Sequence, residues 1–129
     1  MKVNILSSVK QILVSDNVSE LMVPTKSGII GILNNHQDLV TSLDIGELVV
    51  KEGEVSRKIA ISGGFLSVKD NNVQILCDDA IMEEEIVLAE IAKAEENAKL
   101  KLSRKLPEKE LIELEKQLRY EKFKRKLVE

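Results

Sequence analysis

The sequence predicts a β + α protein: an N-terminal two-layer β-sandwich followed by a C-terminal antiparallel α-helical hairpin. All six glycines of the 129-residue chain lie in its first half. Residues 1–80 hold 10 acids and 7 bases, whereas residues 81–129 hold 12 of each, so the charged fraction rises from about a fifth to about a half. So abrupt a change indicates two structural modules. We therefore expect a β-sandwich over residues 1–82 and a hairpin over residues 83–129, with helices at about 83–105 and 108–128.

Two predicted β-hairpins define the first module. In the first hairpin, residues 46–51 and 54–61 flank Gly53, which can adopt the positive φ that a tight turn needs. In the second, residues 65–69 and 73–77 flank a polar Asp-Asn-Asn turn. Short strands separated by regular turns predict a sandwich or a barrel.

Two adjacent glycines, Gly63 and Gly64, stand between these hairpins. A phosphate-binding loop would need a Lys-Ser/Thr pair after them, and the sequence continues instead with Phe65 and Leu66. We interpret the glycine pair as a bend or bulge at which one backbone approaches another.

The second module has helical composition and helical periodicity. Residues 83–105 contain neither glycine nor proline and are rich in Ala, Glu, Lys and Leu. Pro107 disfavours helical backbone at the residue before it, so the first helix should end there and a second should follow. Apolar residues form one stripe on each helix: Val87, Ile91, Ala94, Ala98 and Leu102 on the first, and Leu111, Leu114 and Leu118 on the second.

Residue types that usually carry catalysis are sparse. His36 is the only histidine and Cys77 the only cysteine, which argues against a histidine-rich metal site and fits a reducing compartment. Cys77 lies in an apolar alternation typical of a buried strand, and a Cys77–His36 nucleophilic pair is the weaker alternative. We expect no catalytic residue, no metal ion and no cofactor.

Composition also bears on the partners. A formal net charge of -3 argues against a nucleic-acid surface. We find no targeting signal, and no apolar stretch approaches the roughly 18 residues of a membrane helix. Membrane association would therefore have to come through another protein.

A basic segment near the C-terminus opposes the acidic balance of the chain. Six bases and one acid, Glu121, lie between Lys116 and Lys126. A solvated helix face is the simpler interpretation, and an acidic protein partner is the functional one. We refer to five of these bases as the basic face: Arg119, Lys122, Lys124, Arg125 and Lys126.

Two blocks of the sequence resemble the epsilon subunit of F-type ATP synthases. The stretch GIIGILNNHQDLVTSL, which starts at Gly28 and is followed by Gly46-Glu47-Leu48, is similar to the family pattern G-x-hydrophobic-G-I-L-P-x-H-x-P-L-V-T-x-L-x-x-G. The stretch IAISGGFLSV, which starts at Ile59, resembles the family's S-G-G-[FI]-L-x-V run. Together with the helical end, the resemblance covers essentially the whole chain.

The resemblance implies a non-catalytic, regulatory or structural subunit of a proton- or sodium-transporting ATP synthase. Such a subunit links the γ shaft to the c-ring as part of a peripheral complex at the cytoplasmic face of a bacterial membrane. Its hairpin, when extended, is expected to bring the basic face to an acidic segment of the catalytic β subunits and to inhibit ATP hydrolysis. The alternative is a free-standing adaptor of the same architecture with another partner.

The resemblance also implies roles for individual residues. Candidates for the γ interface are Ser8, His36, Thr41 and Ser62. Asn34 and Asp38 replace the prolines on either side of the histidine, which should loosen that loop, and Ile29 replaces an often acidic residue near the c-ring. Val87, Glu90 and Ile91 replace the Asp, Arg and Ala of the I/L-D-x-x-R-A motif with which some bacterial members bind ATP, so we expect no such ATP site.

Overall fold

Residues 1–128 of the computed structural model are described here, and they form two compact units, Met1–Glu84 and a second that begins at Glu85. The described part of the first unit contains eight strands. They are β1 Lys2–Ser7, β2 Gln11–Ser15, β3 Glu20–Thr25, β4 Gly28–Leu33, β5 Leu39–Glu52, β6 Val55–Lys69, β7 Asn72–Cys77 and β8 Ala80–Met82. The second unit contains α1 (Leu88–Leu102) and α2 (Glu108–Val128).

The strands are hydrogen-bonded in the order β2-β1-β7-β6-β5-β3-β4, with β8 added to β6. Neighbouring strands are antiparallel except β1 and β7, which run parallel. β1–β2 and β3–β4 lie at opposite edges of this order, yet Leu13 of β2 and Ile32 of β4 belong to one hydrophobic core. The sheet must therefore fold over on itself, which confirms the predicted sandwich.

The two longest strands, β5 with 14 residues and β6 with 15, connect the two layers. Their pairing runs from Leu39 opposite Val68 to Glu52 opposite Val55. β3 joins one end of β5, and β7 joins the other end of β6. Each long strand therefore contributes residues to both layers.

β6 is a single strand where the sequence predicted two. Gly63 and Gly64 have φ of 107° and 155°, and the pairing with β5 continues beyond them. A Cβ at Gly64 would lie 2.0 Å from the carbonyl oxygen of Leu76. The predicted close approach of two backbones is confirmed, but it bends the strand without ending it.

The first helix of the second unit is shorter than predicted. Glu83–Glu85 form a single 3-10 turn, and Val87, with φ of -116° and ψ of 119°, is extended immediately before α1. α1 therefore begins at Leu88 and not at about 83, and it ends at Leu102, five residues before Pro107. The segment between the helices ends with Pro107, which disfavours helical backbone at the preceding residue.

The predicted apolar stripes appear on both helices except at Val87, which precedes α1 and is exposed. Ile91 and Ala98 are buried on α1, and Ala94 and Leu102 are half-buried. On α2 the three leucines of the stripe, Leu111, Leu114 and Leu118, are all half-buried. An ion pair between Glu95 of α1 and Arg125 near the end of α2 is consistent with antiparallel packing of the two helices.

Candidate protein-interaction surfaces

His36 lies in the loop between β4 and β5 and is half-buried. Its backbone N–H donates to the carbonyl oxygen of Leu33 over 3.2 Å. Its Nδ1 lies 2.8 Å from the carbonyl oxygen of Gln37. The imidazole is thus held by its own loop, with a ring nitrogen in use, which suits positioning better than proton transfer.

The same loop is tethered to the turn between β6 and β7. The backbone N–H of Asn35 donates to Oδ1 of Asn71 over 2.7 Å. In return, the backbone N–H of Asp70 donates to Oδ1 of Asp38 over 3.2 Å. At the other side of the loop, Oδ1 of Asn34 accepts a hydrogen bond from the Met1 ammonium. Asn34 and Asp38 therefore supply hydrogen bonds where the resemblance expects proline, so the loop is not simply loosened.

Ser8 and Ser62 each hydrogen-bond to the turn between β7 and β8. Ser8 Oγ donates to the carbonyl oxygen of Asp78 over 2.7 Å. Ser62 Oγ accepts from the Asp79 backbone N–H over 2.9 Å and donates to the Asp79 carbonyl oxygen over 3.2 Å. Ser8 is exposed, whereas Ser62 is buried and uses its hydroxyl group to bond to Asp79 within the protein.

Thr41, the fourth predicted interface residue, lies between these two places. It is half-buried on β5, opposite Leu66 of β6. The part of β6 that pairs with β7 begins at Gly64, just after Ser62, and ends at Lys69. The loop of His36 contacts the turn that follows Lys69. The four candidates are thus spread along the ladder of β5, β6 and β7 and do not form one cluster.

A face of exposed apolar side chains occupies the same ladder. Val40 is 77% exposed, Phe65 64% and Leu76 48%. Phe65 lies opposite Leu76 on one side and Ser42 on the other, while the alternate residues Leu66 and Ile75 are completely buried. We call Val40, Phe65 and Leu76 the outer face.

Consecutive apolar residues in the sequence indicate the outer face, which the alternation within single strands does not reveal. Phe65-Leu66 and Ile75-Leu76 place apolar residues at consecutive positions of two paired strands. Successive residues of a strand point to opposite sides, so both sides of this hairpin are apolar. One side faces the core, and the other is exposed.

A second apolar patch lies on the edge strand β4. Ile29 is 69% exposed and Leu33 is also exposed. β4 pairs only with β3 among the described strands, so its other edge is open. This places Ile29 where it can contact a neighbouring protein.

The basic face divides into paired and exposed cations. Lys124 Nζ lies 3.0 Å from Oε1 of Glu121 and 4.6 Å from the ring centroid of Tyr120. Arg125 forms the ion pair with Glu95. The side chains of Arg119, Lys122 and Lys126 are exposed. Sequence reasoning missed Glu95, because an acid on a charged helix looks like any other solvated residue.

The structure argues against nucleophilic chemistry at Cys77. Burial, together with the charges of Asp78 and Asp79, raises the pKa of this thiol to about 12. Cys77 ends β7, whereas the loop of His36 contacts the turn before β7, so the length of the strand, roughly 16 Å, separates them. The Cys77–His36 pair is therefore excluded.

Residues 1–128 offer no metal site or membrane-spanning helix. No three His, Cys, Asp or Glu side chains in this range are grouped so that they could hold a metal ion. Of the three positions in the ATP motif, Val87 precedes α1, Glu90 is exposed in its first turn, and Ile91 is buried. No helix in this range is long and apolar enough to span a membrane.

Comparison with known proteins gives a consistent result. Residues 1–83 match the family described as "ATP synthase, Delta/Epsilon chain, beta-sandwich domain". The ATP synthase epsilon chain of Leptospira borgpetersenii is 43% identical over 86 residues, which are 67% of each chain. The chloroplastic epsilon chain of Chlorella vulgaris is 36% identical over 99 residues, covering 77% of this chain and 74% of that one.

Solved structures agree with the sequence matches. A chain in the Euglena gracilis mitochondrial ATP synthase structure, described as OSCP/F1/c-ring in rotational state 1, is 30% identical with a TM-score of 0.76. The match covers 98% of this chain and 80% of that one. A chain in the central stalk/c-ring structure of the Tetrahymena thermophila mitochondrial ATP synthase shares the fold, with a TM-score of 0.59.

Fold and surfaces together define a protein in which a β-sandwich with an exposed apolar face is joined to a charged helical hairpin, an architecture suited to protein interaction. The comparisons specify which one. The chain belongs to the epsilon-chain family of the F-type ATP synthases. Epsilon chains are non-catalytic components of the rotor stalk.

Proposed function

We propose that this chain links the γ shaft of an F-type ATP synthase to its c-ring at the cytoplasmic face of a bacterial membrane, and that its hairpin restrains ATP hydrolysis. The observation that carries the first part is the outer face of the sandwich. An exposed apolar face on paired strands suits a broad contact with another protein.

The outer face also suits the transmission of torque. Phe65 and Leu76 stand on two strands that are hydrogen-bonded along six residue pairs, with a completely buried layer beneath them. A close-packed layer resists deformation, so force applied at the γ contact would reach the opposite edge of the sandwich. We assign the c-ring contact to the β4 patch of Ile29 and Leu33.

Binding to γ tests the first part of this proposal. The double substitution Val40→Ser and Phe65→Ser should weaken the affinity for purified γ by about tenfold or more, because it removes central apolar contacts. The matched control is Val55→Ser, which changes an exposed valine at the far end of β6. Isothermal titration calorimetry measures both; equal affinities for the double variant and the wild type would refute the assignment.

The second part rests on the exposed cations of α2. Arg119, Lys122 and Lys126 present positive charge to solvent in a chain of net charge -3. An acidic segment of the catalytic β subunits is the partner that this charge fits. Binding there by an extended hairpin would restrain the catalytic head.

Charge reversal tests the inhibition. Changing Arg119, Lys122 and Lys126 to Glu should raise ATP hydrolysis severalfold in a reconstituted complex. The control reverses Lys99, Lys101 and Lys109, three exposed lysines outside the basic face, and makes the same change in net charge. Hydrolysis that stays at the wild-type rate, or rises equally in the control, would contradict the proposal.

The alternative function is a free-standing adaptor with another partner. The same outer face and basic face would serve such a protein, so the surfaces by themselves do not decide. Co-purification with γ from cells that express both chains separates the two functions. A free-standing adaptor would not co-purify with γ.

A further inference from the structure

Among residues 1–128, two ion pairs of the basic face differ in what they join. Lys124 and Glu121 are three residues apart on α2, so their contact exists wherever α2 is helical. Arg125 and Glu95 belong to different helices. Their contact exists only while α1 and α2 are packed together, so it reports the state of the hairpin.

The two side chains of this second pair differ in how deeply they are buried. Glu95 is only 5% exposed, so its carboxylate has lost most of its water and depends on Arg125 for compensation. The Arg125 side chain keeps 39% of its exposure and lines an open groove of about 620 Å³ together with Leu88 and Lys99. A competing carboxylate can therefore reach Arg125 from solvent.

We propose that Glu95 masks Arg125 in the closed hairpin and that separation of α1 from α2 releases this cation for an acidic partner. The closed form then presents three exposed cations of the basic face, Arg119, Lys122 and Lys126, and the open form adds Arg125. The identity of the partner rests on the proposed function; the mask itself rests on the ion pairs.

A thermodynamic linkage follows from the mask. A partner that pairs with Arg125 must displace Glu95, which weakens the contact between the helices. Partner binding and hairpin opening therefore favour each other, and each must strengthen the other by the same factor. Glu95 thus sets how readily the hairpin responds to an acidic surface.

Binding of an acidic probe to the full chain tests the mask. A fluorescein-labelled oligoglutamate peptide, followed by anisotropy at low salt, should bind Glu95→Gln about fivefold more tightly than the wild type. Glu96→Gln makes the same change in net charge at the exposed neighbouring residue and should change the affinity much less. In Glu95→Gln/Arg125→Gln the gain should disappear, because the released cation is gone.

Two results would overturn the mask: equal tightening by Glu95→Gln and Glu96→Gln, or a gain that persists in the double variant. If no variant binds the peptide, the acidic partner of the proposed function fails, and amide hydrogen exchange decides about the mask separately. Exchange in Leu88–Leu102 should be faster in Glu95→Gln than in Glu96→Gln. Equal exchange would refute the mask as well.

Discussion

At the residue scale, Gly64 shows why a side chain is excluded from the centre of β6. Its φ of 155° lies in the range that favours glycine, and the Leu76 carbonyl oxygen and Cys77 Cα occupy the space of a Cβ. Both neighbours are backbone atoms of β7, so they cannot move without breaking the ladder. The position requires glycine for space as well as for conformation.

We expect Gly64→Ala to lower the free energy of unfolding by about 3 kcal/mol through overpacking and strain. Gly31→Ala is the matched control, because nothing lies within 4 Å of a Cβ there and its φ is not positive. Urea denaturation measures both. Similar losses in the two variants would show that the close approach to Leu76 is not what matters.

Glu47 carries a carboxyl group whose pKa the sandwich shifts. It lies on β5 opposite Ala60, which in turn lies opposite Ile81 of β8. Burial raises the pKa of Glu47, and the nearby charge of Glu83 raises it further, while Lys58 acts in the opposite direction. The native state therefore holds this proton more tightly than the unfolded chain does.

A pH dependence follows with a definite sign. The stabilisation from protonated Glu47 is complete below the ordinary glutamate pKa of 4.5 and is lost as the pH rises through the elevated native value. The unfolding free energy of the wild type should therefore fall across this window relative to Glu47→Gln. Glu54→Gln, in the exposed β5–β6 turn, is the control. A constant difference between wild type and Glu47→Gln would contradict the prediction.

At the element scale, the β4–β5 loop derives its order from side chains that bond to another turn. Asp38 and Asn71 each accept a backbone N–H across the two turns. Asn35 and Asn71, with φ of 63° and 62°, provide the left-handed backbone that lets the turns meet. The position of His36 thus depends on the turn at Asp70–Asn71.

Removing one tether should loosen both turns. We expect Asp38→Ala to lower the free energy of unfolding by about 1 kcal/mol and to speed hydrogen exchange at the Asp70 amide. Gln37→Ala is the control, because Gln37 contacts His36 through its backbone carbonyl and the residue is exposed. Unchanged exchange at Asp70 would indicate that the 3.2 Å contact does not hold the turn.

At the scale of the whole molecule, the sandwich has a core of its own. Every buried residue of the hydrophobic core lies between Met1 and Ala80, and Met82 is the last residue packed against it. The first unit ends at Glu84. The physical unit that would bind γ and the unit that carries the basic face are therefore consecutive pieces of the chain.

We expect residues 1–84 to fold without the hairpin and to bind γ with the affinity of the full chain, because the outer face lies entirely within this unit. The truncated protein should not inhibit ATP hydrolysis. Circular dichroism, calorimetry with γ and a hydrolysis assay measure the three properties. A truncated chain that stays unfolded would show that the hairpin contributes to the stability of the sandwich.

Much of the fold was predictable from local patterns. Gly53, with φ of 64°, forms the expected turn, and Glu108 begins the second helix as expected after Pro107. The start of the first helix was misplaced because Glu83–Glu85 have helical composition, and composition does not reveal that Val87 is extended. The outer face was missed because alternation marks two sides of a strand without telling which side is covered.

By itself, the sequence determined two modules of different chemistry, their turns and breaks, the apolar stripes and the resemblance to epsilon subunits. Only the tertiary structure decided that Ser62 bonds to Asp79, that Phe65 is exposed, and that Arg125 pairs with Glu95 while Lys122 is exposed to solvent. The reason is physical. Turn and helix preferences act over a few neighbouring residues, whereas exposure and ion pairing depend on which distant segments pack against each other.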